Sequence, residues 1–281
     1  MRFLGIYREQ MFSPGRVDDD AAIMDTTLGV LMNWGHEVQA TKAEDFDGHV
    51  PHVDCVLTMG QSDRLLSILD ALRRRRVRVV NPIDSIRLCN RTHLIRHLAR
   101  AGLPLPLGKI VPLNGSERRI SLQSPKHYWI KRGDVHKVES GDVVKVTSQE
   151  ELEFALLYFR TRHINEIVVQ EHVEGEVIKF YGVSGGSAPW GAYFSAFPES
   201  RDTEIIDDLI HLRSVAWRAA AAVGLEVYGG DAVITRTGRV VLIDLNAWPS
   251  FSRCRNEAAY NIAGYTAGME QGFQLGISQP S

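Results

Sequence analysis

The sequence predicts an α/β amino-terminal lobe followed by central and carboxy-terminal lobes of α+β type. Its first 82 residues alternate short apolar strands with helices, a pattern typical of a parallel sheet covered by helices. The later residues give short strands in succession, some of them joined as hairpins, which favours mixed or antiparallel sheets. At 281 residues, the chain is longer than one ordinary domain, so we expect more than one lobe.

The amino-terminal lobe, residues 1–89, is predicted to hold a parallel sheet. Helices are expected from about Asp19 to Trp34 and from about Asp63 to Arg75, and the strands are FLGIY, EVQAT, DCVLTM and VRVV. A third helix, from about Asp84 to Ala101, has apolar residues near helical spacing. The segment GLPLP that follows is interpreted as a connector between lobes.

The central lobe, residues 90–170, and the carboxy-terminal lobe, residues 171–281, share an α+β pattern. Strands are expected at LGKIVPL, HYWIK, VVKV, EIVVQEHV, EVIKFYGV and FSAF, and the last strands form the hairpin YGGDAVITRTGRVVLID. One helix should begin at Ser148, because Glu151 three residues later completes a capping box. Another is expected from about Asp207 to Val223.

Composition and charge exclude several classes of protein. The formal net charge is −2, and 44% of the residues are hydrophobic, as in ordinary globular proteins. Such a charge provides no overall field for nucleic acid. The dense basic run from Arg73 to Arg76 is interpreted as a solvated helix end. We therefore expect no nucleic-acid partner.

The sequence also indicates a cellular compartment. The apolar start MRFLGIYREQ is broken by Arg8 and Glu9, too early for a signal peptide. No segment approaches the ~20 apolar residues needed to span a bilayer. Cys55, Cys89 and Cys254 show no CxxC spacing and cannot all pair, which is typical of free thiols in a reducing compartment. We expect a soluble, cytoplasmic protein with no membrane partner.

The carboxy-terminal hairpin carries the most informative pair of residues. If Thr237-Gly238 is the centre of its turn, Asp231 lies directly opposite Asp244. Opposed carboxylates repel one another unless a cation lies between them. Strand alternation returns Asn246 to the same face, and such an all-oxygen set suits Mg²⁺. The alternative from the residues alone is a solvated aspartate at a strand end beside one that caps a loop.

With the hairpin interpreted in this way, the chain resembles the ATP-grasp superfamily over nearly its whole length. IDLNAWPSF resembles the signature in which an acidic residue and an Asn precede a Pro-containing loop. The resemblance implies that Asp231, Asp244 and Asn246 bind Mg²⁺, with Mn²⁺ as the alternative ion. CNRTHLIRHLARAGLPLP is similar to the helix and connector that lead into the nucleotide-binding lobe, and Arg91 stands where a Lys usually meets the phosphates.

The same resemblance implies further nucleotide-binding residues. Lys131 matches the strand-end lysine that reaches the α- and β-phosphates, although it could instead extend its charge from a sheet edge into solvent. Glu176 matches the acid that binds ribose hydroxyls, and Lys179 stands where related ligases place an Arg facing the transferred phosphate. The segment matching the adenine hinge consists of Gln170, Glu171, His172 and Val173. For the hinge acids and Lys179 the alternative is an exposed strand charge.

Two loops contribute candidates for catalysis. The loop that closes over the triphosphate in this superfamily is often rich in Gly and Ser, whereas here it is RGDVHKVESGD. His136 and Lys137 could supply side-chain donors in it, or His136 could act on the acceptor; otherwise His136 is solvent-exposed. Arg253 and Arg255, expected in the loop after the signature, are candidates to bind a substrate carboxylate, with surface arginines as the alternative.

The resemblance implies an ATP-dependent ligase of the ribosomal-protein glutamate or D-alanine:D-alanine type. A substrate carboxylate would become an acylphosphate, and an amine acceptor would then form an amide. The carboxylate would belong to a small molecule or a peptide, and a homodimer is the default oligomer. The alternatives are a kinase resembling the inositol trisphosphate kinases and a module that binds ATP without turnover. A dinucleotide-binding protein is disfavoured, because IYREQMFSPG follows the first strand in place of GxGxxG.

Overall fold

A computed structural model describes residues 1–49, 52–113, 121–122, 126–134, 139–184, 191–199 and 206–268. Within these residues the strands form three four-stranded sheets, which follow one another along the chain. No helix in this part of the chain is both long and apolar enough to cross a membrane. The predicted sequence of an α/β lobe and two α+β lobes is confirmed.

The amino-terminal sheet is fully parallel and is ordered β2-β1-β3-β4. Its strands are β1 (Arg2–Tyr7), β2 (Glu37–Lys42), β3 (Cys55–Thr58) and β4 (Arg78–Val80). Its helices are α1 (Val17–Asn33) and α2 (Asp63–Arg74). Strands β1 and β3 are apolar and buried, because helices cover the faces of the sheet.

The central sheet is antiparallel and is ordered β5-β8-β6-β7. Its strands are β5 (Gly108–Pro112), β6 (Tyr128–Arg132), β7 (Val143–Val146) and β8 (Glu166–Glu171), and its helix is α5 (Gln149–Thr161). The Ser148 hydroxyl accepts the amide N–H of Glu151 at 3.1 Å, which confirms the predicted helix start. Residues of this lobe alone form its buried cluster, so it has a core of its own.

The carboxy-terminal sheet is also antiparallel and is ordered β10-β9-β11-β12. Its strands are β9 (Glu176–Val183), β10 (Tyr193–Pro198), β11 (Val227–Ile234) and β12 (Val240–Ala247), and its helices are α6 (Ile206–Val223) and α7 (Arg255–Thr266). Helix α7 was not predicted. Its buried face consists largely of Ala, Gly, Asn and Thr, so it lacks the large apolar side chains that reveal a helix in a sequence.

The single helix predicted from Asp84 to Ala101 is wrong. The chain forms two helices there, α3 (Ile83–Leu88) and α4 (Arg91–Arg100). Asn90 between them has an extended backbone, with ψ of 129°. The amide of Thr92, in the first turn of α4, donates to the carbonyl of Gly133 at 3.1 Å, which ties this turn to the end of β6. The break therefore places Arg91 at the junction of the central and carboxy-terminal lobes.

The amino-terminal and carboxy-terminal lobes share a hydrophobic core. Side chains of α1 and β3 pack in one cluster with Tyr181, Trp248 and residues of α7. The Asn81 side chain also pairs with the backbone of Val227, donating to its carbonyl and accepting its N–H, both at 2.7 Å. The amino-terminal and carboxy-terminal lobes therefore share one core, whereas the central lobe has its own. A cleft lies between the central lobe and the other two.

Candidate active site

A row of charged side chains crosses the carboxy-terminal sheet on the face opposite to α6. Asp231 on β11 is the direct partner of Asp244 on β12 and, on its other side, of Lys179 on β9. Direct partners in antiparallel strands present their side chains on one face. Lys179 Nζ donates to Asp231 Oδ1 at 2.5 Å. The predicted opposition of the two aspartates is confirmed, and a lysine compensates one of them.

The hairpin differs from the prediction between its turn and the aspartate pair. Strand pairing beyond the turn begins one residue away from the register predicted for a turn centred on Thr237-Gly238. The Thr235 hydroxyl accepts the N–H of Arg239 at 3.1 Å and closes a longer loop. Ile243 then bulges out of β12, and this β-bulge restores the opposition of the aspartates. The predicted pairing is right at the aspartates and wrong nearer the turn.

Two cations from the central side, the half-buried Lys131 and the buried Arg91, face Asp244. Lys131, on β6, donates from Nζ to the carbonyl of Ile243 at 3.4 Å. Burial lowers the pKa of Lys131 to about 8, while the Asp244 carboxylate acts in the opposite direction. Arg91 is only 5% exposed and donates to the carbonyl of Arg132 at 2.6 Å. Burial lowers its pKa as well, again opposed by Asp244.

The aspartate pair has the chemistry of a magnesium site. Burial raises the pKa of the Asp231 carboxyl, Lys179 opposes this rise, and Asp244 adds to it. Asn246 lies two residues beyond Asp244 on β12, and strand alternation puts it on the same face. No group of three His, Cys, Asp or Glu residues in the described part of the chain could hold a metal ion. Two carboxylates and an amide oxygen nevertheless fit Mg²⁺, which keeps several waters and needs few protein ligands.

The predicted hinge joins β8 to β9. Gln170, at the end of β8, is 3% exposed, and no described residue forms a hydrogen bond with its Oε1. A buried acceptor without a partner is costly, so it favours a donor supplied from outside the protein. Gln170 lies near Lys131 and Asp244 in a narrow cavity between the lobes. Glu176 begins β9 opposite Ile234, the last residue of β11.

A second cavity lies at the outer side of the hinge and has a volume of about 390 Å³. It is lined in part by Glu171, His172 and Val173. His172 Nδ1 accepts a hydrogen bond from Trp129 Nε1 at 3.1 Å, and His172 Nε2 lies 3.2 Å from Glu174. Glu171 pairs with Lys126 at 2.8 Å. The side chains of Glu171 and His172 are therefore held by residues of the central lobe and by Glu174.

A larger cleft, of about 790 Å³, lies where the three lobes meet. This volume is in the range of small-molecule sites, roughly 300–1,000 Å³. The carboxy-terminal lobe contributes Lys179, Asp244 and Asn246 to its wall, and the central side contributes Arg91 and Trp129. The structure therefore brings two of the three predicted metal ligands, Asp244 and Asn246, into one cleft with the predicted phosphate contacts Arg91 and Lys179.

The amino-terminal wall of the cleft was not predicted. Arg8, directly after β1, pairs with Asp20 at 3.1 Å and donates to the carbonyl of Trp248 at 2.5 Å. Arg8 and Asp20 line the cleft with Ser13 and Gln61. Arg8 and Trp248 are 240 residues apart, and only the packing of the lobes brings them together. No local pattern in the sequence could reveal this contact.

Three residues were candidates to contact substrate from loops, and the structure describes two of them. His136 lies outside the described residues. Arg253 donates to the carbonyl of Pro198 at 3.0 Å and lies over the Phe197 ring, 5.8 Å from its centroid. Arg255 was expected in a loop, which is wrong, because it is the first residue of α7 and donates to Asp19 at 3.0 Å. The small residues of helix α7 pack against α1 and β9.

A carboxylate of the chain itself occupies the start of α2, one of the helix amino termini beside the amino-terminal sheet. In folds that bind dinucleotides, the pyrophosphate lies at a helix amino terminus beside the strand ends. Here the buried Glu9 carboxylate accepts the N–H groups of Gln61 and Ser62, at 3.1 and 3.0 Å, at the start of α2. The chain therefore fills this position with its own carboxylate.

Comparison with known proteins identifies the fold. The sequence matches no family model and no curated protein. The structure, however, is similar to D-alanine–D-alanine ligase from Coxiella burnetii, with a TM-score of 0.71, 13% identity and coverage of 96% of this chain and 95% of that one. It is also similar to a RimK domain protein ATP-grasp from Sphaerobacter thermophilus, with a TM-score of 0.66, 17% identity and coverage of 95% and 100%. The chain has the ATP-grasp fold.

A third similar structure has this fold together with ATP. It is the D-alanine–D-alanine ligase from Bacillus anthracis complexed with ATP, with a TM-score of 0.68, 12% identity and coverage of 96% of this chain and 97% of that one. The ATP-grasp fold thus extends over almost all of this chain. The sequence resemblance that rested on the hairpin and the hinge is confirmed for the fold.

Proposed function

We propose that the protein is an ATP-dependent carboxylate–amine ligase that works through an acylphosphate. The row formed by Lys179, Asp231 and Asp244, facing Lys131 and Arg91 across the cleft, carries this proposal. Phosphoryl transfer requires mainly positioning and neutralisation of charge. The cations and carboxylates that two lobes bring to the cleft meet this requirement.

Each side chain has a defined part in this proposal. Asp231, Asp244 and Asn246 hold Mg²⁺, or Mn²⁺ as the alternative ion. When bound, the metal ion neutralises charge on the phosphates. Lys131 contacts the α- and β-phosphates, and Arg91 adds positive charge at the start of α4. Their burial strengthens these contacts, because little water competes for the phosphate oxygens.

The adenine base is proposed to bind at the hinge. Gln170 Oε1, which lacks a partner among the described residues, would accept a hydrogen bond from the exocyclic amino group of adenine. Glu171, His172 and Val173 line the neighbouring cavity, and Glu176 would bind the ribose hydroxyls. The Trp129–His172 hydrogen bond holds the His172 ring in place before a nucleotide arrives.

The reaction would proceed in two balanced steps. A carboxylate oxygen of the first substrate attacks the γ-phosphorus, the bond to the bridging oxygen breaks, and ADP leaves. Lys179 lies on the wall of the cleft and would face the transferred phosphate. An amine then attacks the acyl carbon, loses a proton and expels phosphate to give the amide. His136 and Arg253 stay candidates for contacts with the acceptor and with the substrate carboxylate, respectively.

A hydroxylamine trap tests the ligase directly. The protein is incubated with ATP, Mg²⁺, hydroxylamine and a panel of amino acids, small acids and short peptides. We expect one carboxylate to yield both ADP and a hydroxamate, because hydroxylamine replaces the natural amine on the acylphosphate. Substrate-dependent ADP release without hydroxamate would overturn the ligase and favour the kinase, and ATP binding without ADP release would indicate a binding module. Asp244→Asn should give neither product, and Asp45→Asn, at an exposed position, is its matched control.

A further inference from the structure

Lys179 lies on β9 beside the first of the two carboxylates proposed to bind metal. Its ammonium group is 2.5 Å from Asp231 Oδ1. Lys179, Asp231 and Asp244 are successive direct partners across β9, β11 and β12. Across three neighbouring strands the order of charge is therefore one cation followed by two carboxylates.

This ion pair involves the carboxylate that a metal ion needs. Within the described chain, Lys179 is the one cation at ion-pair distance from Asp231. The carboxylates of Asp244 and Glu199 both act on Asp231, and like charges on direct partners are destabilising. Lys179 therefore relieves, in the metal-free protein, the same repulsion that a divalent ion would relieve.

The side chain of Lys179 can exchange partners. It is 31% exposed, lies at the wall of the large cleft and has a flexible four-carbon stem. Lys131 differs, because its ammonium group contacts a backbone carbonyl, and no carboxylate in the described part of the chain forms an ion pair with it. Of the cations at this site, Lys179 is thus the one whose ammonium group can leave its partner when another cation binds Asp231.

We propose that Lys179 is a built-in counter-cation that a divalent metal ion displaces from Asp231. Displacement releases the ammonium group into the cleft, where it can contact an anionic group of the nucleotide or of the substrate. Metal binding and phosphate binding are thereby coupled, since the metal frees a cation for the phosphate. The inference rests on the metal site of the proposed function, and it concerns how the metal ion controls whether Lys179 contacts Asp231 or an anionic group in the cleft.

Substitutions of Lys179 should change metal affinity in opposite directions. Lys179→Met removes the competitor, so Mn²⁺ alone should bind roughly fivefold more tightly, the factor expected for a partly exposed ion pair. Lys179→Arg offers a planar fork that holds a carboxylate more firmly, so Mn²⁺ should bind more weakly than to the wild type. A lysine with a purely structural role would not produce opposite shifts.

The experiment is a titration with Mn²⁺, followed by electron paramagnetic resonance, on the full chain without nucleotide. Lys145→Met, at an exposed position on β7, controls for the loss of one positive charge. The titrations are repeated at about 1 M KCl, where the screening length is roughly 3 Å and only direct competition persists. Thermal unfolding gives a second measure: Lys179→Met should lower Tm without metal, and saturating Mn²⁺ should reduce this difference.

The outcomes separate the inference from the proposed function. If the wild type binds no Mn²⁺, or if Asp244→Asn binds it as well as the wild type, the metal site itself is wrong and the inference falls with it. If the wild type binds Mn²⁺ and Asp244→Asn does not, the metal site stands. Unchanged affinity in both Lys179 variants would then overturn the exchange alone. Lys179→Arg keeps the charge and the pair, so it provides a folded variant even if Lys179→Met is unstable.

Discussion

Lys131 on the central sheet donates to the carbonyl of Ile243, the residue that bulges from β12, with an Nζ–O distance of 3.4 Å. At the bulge, the carbonyl oxygen of Ile243 faces Lys131 of the central lobe. Bulges occur frequently beside active sites, where they redirect neighbouring side chains. Here the same bulge brings Asp244 opposite Asp231, so one irregularity positions groups on both sides of the cleft.

Replacing Lys131 should weaken nucleotide binding. We expect Lys131→Met to reduce the affinity for ADP roughly 10- to 100-fold, the effect of losing one charged hydrogen bond to phosphate. Isothermal titration calorimetry measures this change, with Lys145→Met as the matched control on the same sheet. Equal ADP affinity in wild type and Lys131→Met would contradict the assignment of Lys131.

Gly230 should be essential to the geometry of the aspartate row. A Cβ built there would lie 2.1 Å from the carbonyl oxygen of Asp244 and 2.8 Å from Phe180 Cζ, so β11 and β12 would have to separate. We expect Gly230→Ala to lower the free energy of unfolding by about 1–3 kcal/mol, as other overpacked sites do. Urea denaturation measures the change.

Gly29 in α1 is the matched control for this substitution. A Cβ at Gly29 would meet nothing within 4 Å. Gly29→Ala should therefore leave the free energy of unfolding unchanged or raise it by up to about 1 kcal/mol, because Ala favours helix. Equal effects of the two substitutions would show that close packing at Gly230 is not decisive.

The three cysteines should be unreactive in the folded protein near neutral pH. Burial raises the pKa of the Cys55 and Cys89 thiols to about 12 and that of Cys254 to about 11. Because the thiolate is the reactive form, labelling with an aromatic disulfide reagent at about pH 8 should be slow until the protein is unfolded. Rapid native labelling of any of them would contradict its burial.

The same thiols predict how stability changes in alkali. Their pKa values in the folded protein lie above the ordinary 9.0, so the unfolded chain loses these protons first as pH rises. The contribution to stability is fully present below about pH 9 and is lost as pH rises to about 12. Urea denaturation across this range should show that the free energy of unfolding falls with rising pH. Replacing Cys55 with Ala should reduce the slope of this fall. A slope that does not change in this variant would argue against the effect.

The order of the lobes was predictable because local patterns encode it. Alternating strands and helices indicated the parallel sheet, and opposed aspartates in a hairpin indicated a charged site. The hairpin prediction succeeded at Asp231 and Asp244 although the turn was displaced, because the bulge at Ile243 compensated for it. A bulge is selected by the contacts of the whole sheet, and the turn residues alone do not reveal it.

Other features depend on packing between distant segments. The break at Asn90 was hidden because apolar residues continue at helical spacing on both sides of it, and the contact between Thr92 and Gly133 fixes the new helix start. Helix α7 uses small residues whose burial depends on α1. Arg8 reaches Trp248 only after two lobes have packed. In each case the deciding partner lies far along the chain.

The most direct test of a magnesium–nucleotide site built on Asp244 is calorimetric titration with a non-hydrolysable ATP analogue. Wild type, Asp244→Asn and the exposed control Asp45→Asn are each titrated with and without Mg²⁺. We predict that Mg²⁺ strengthens binding in the wild type and in Asp45→Asn, and that Asp244→Asn loses this dependence, because one of two metal carboxylates is gone. Equal strengthening by Mg²⁺ in Asp244→Asn and the wild type would contradict the account.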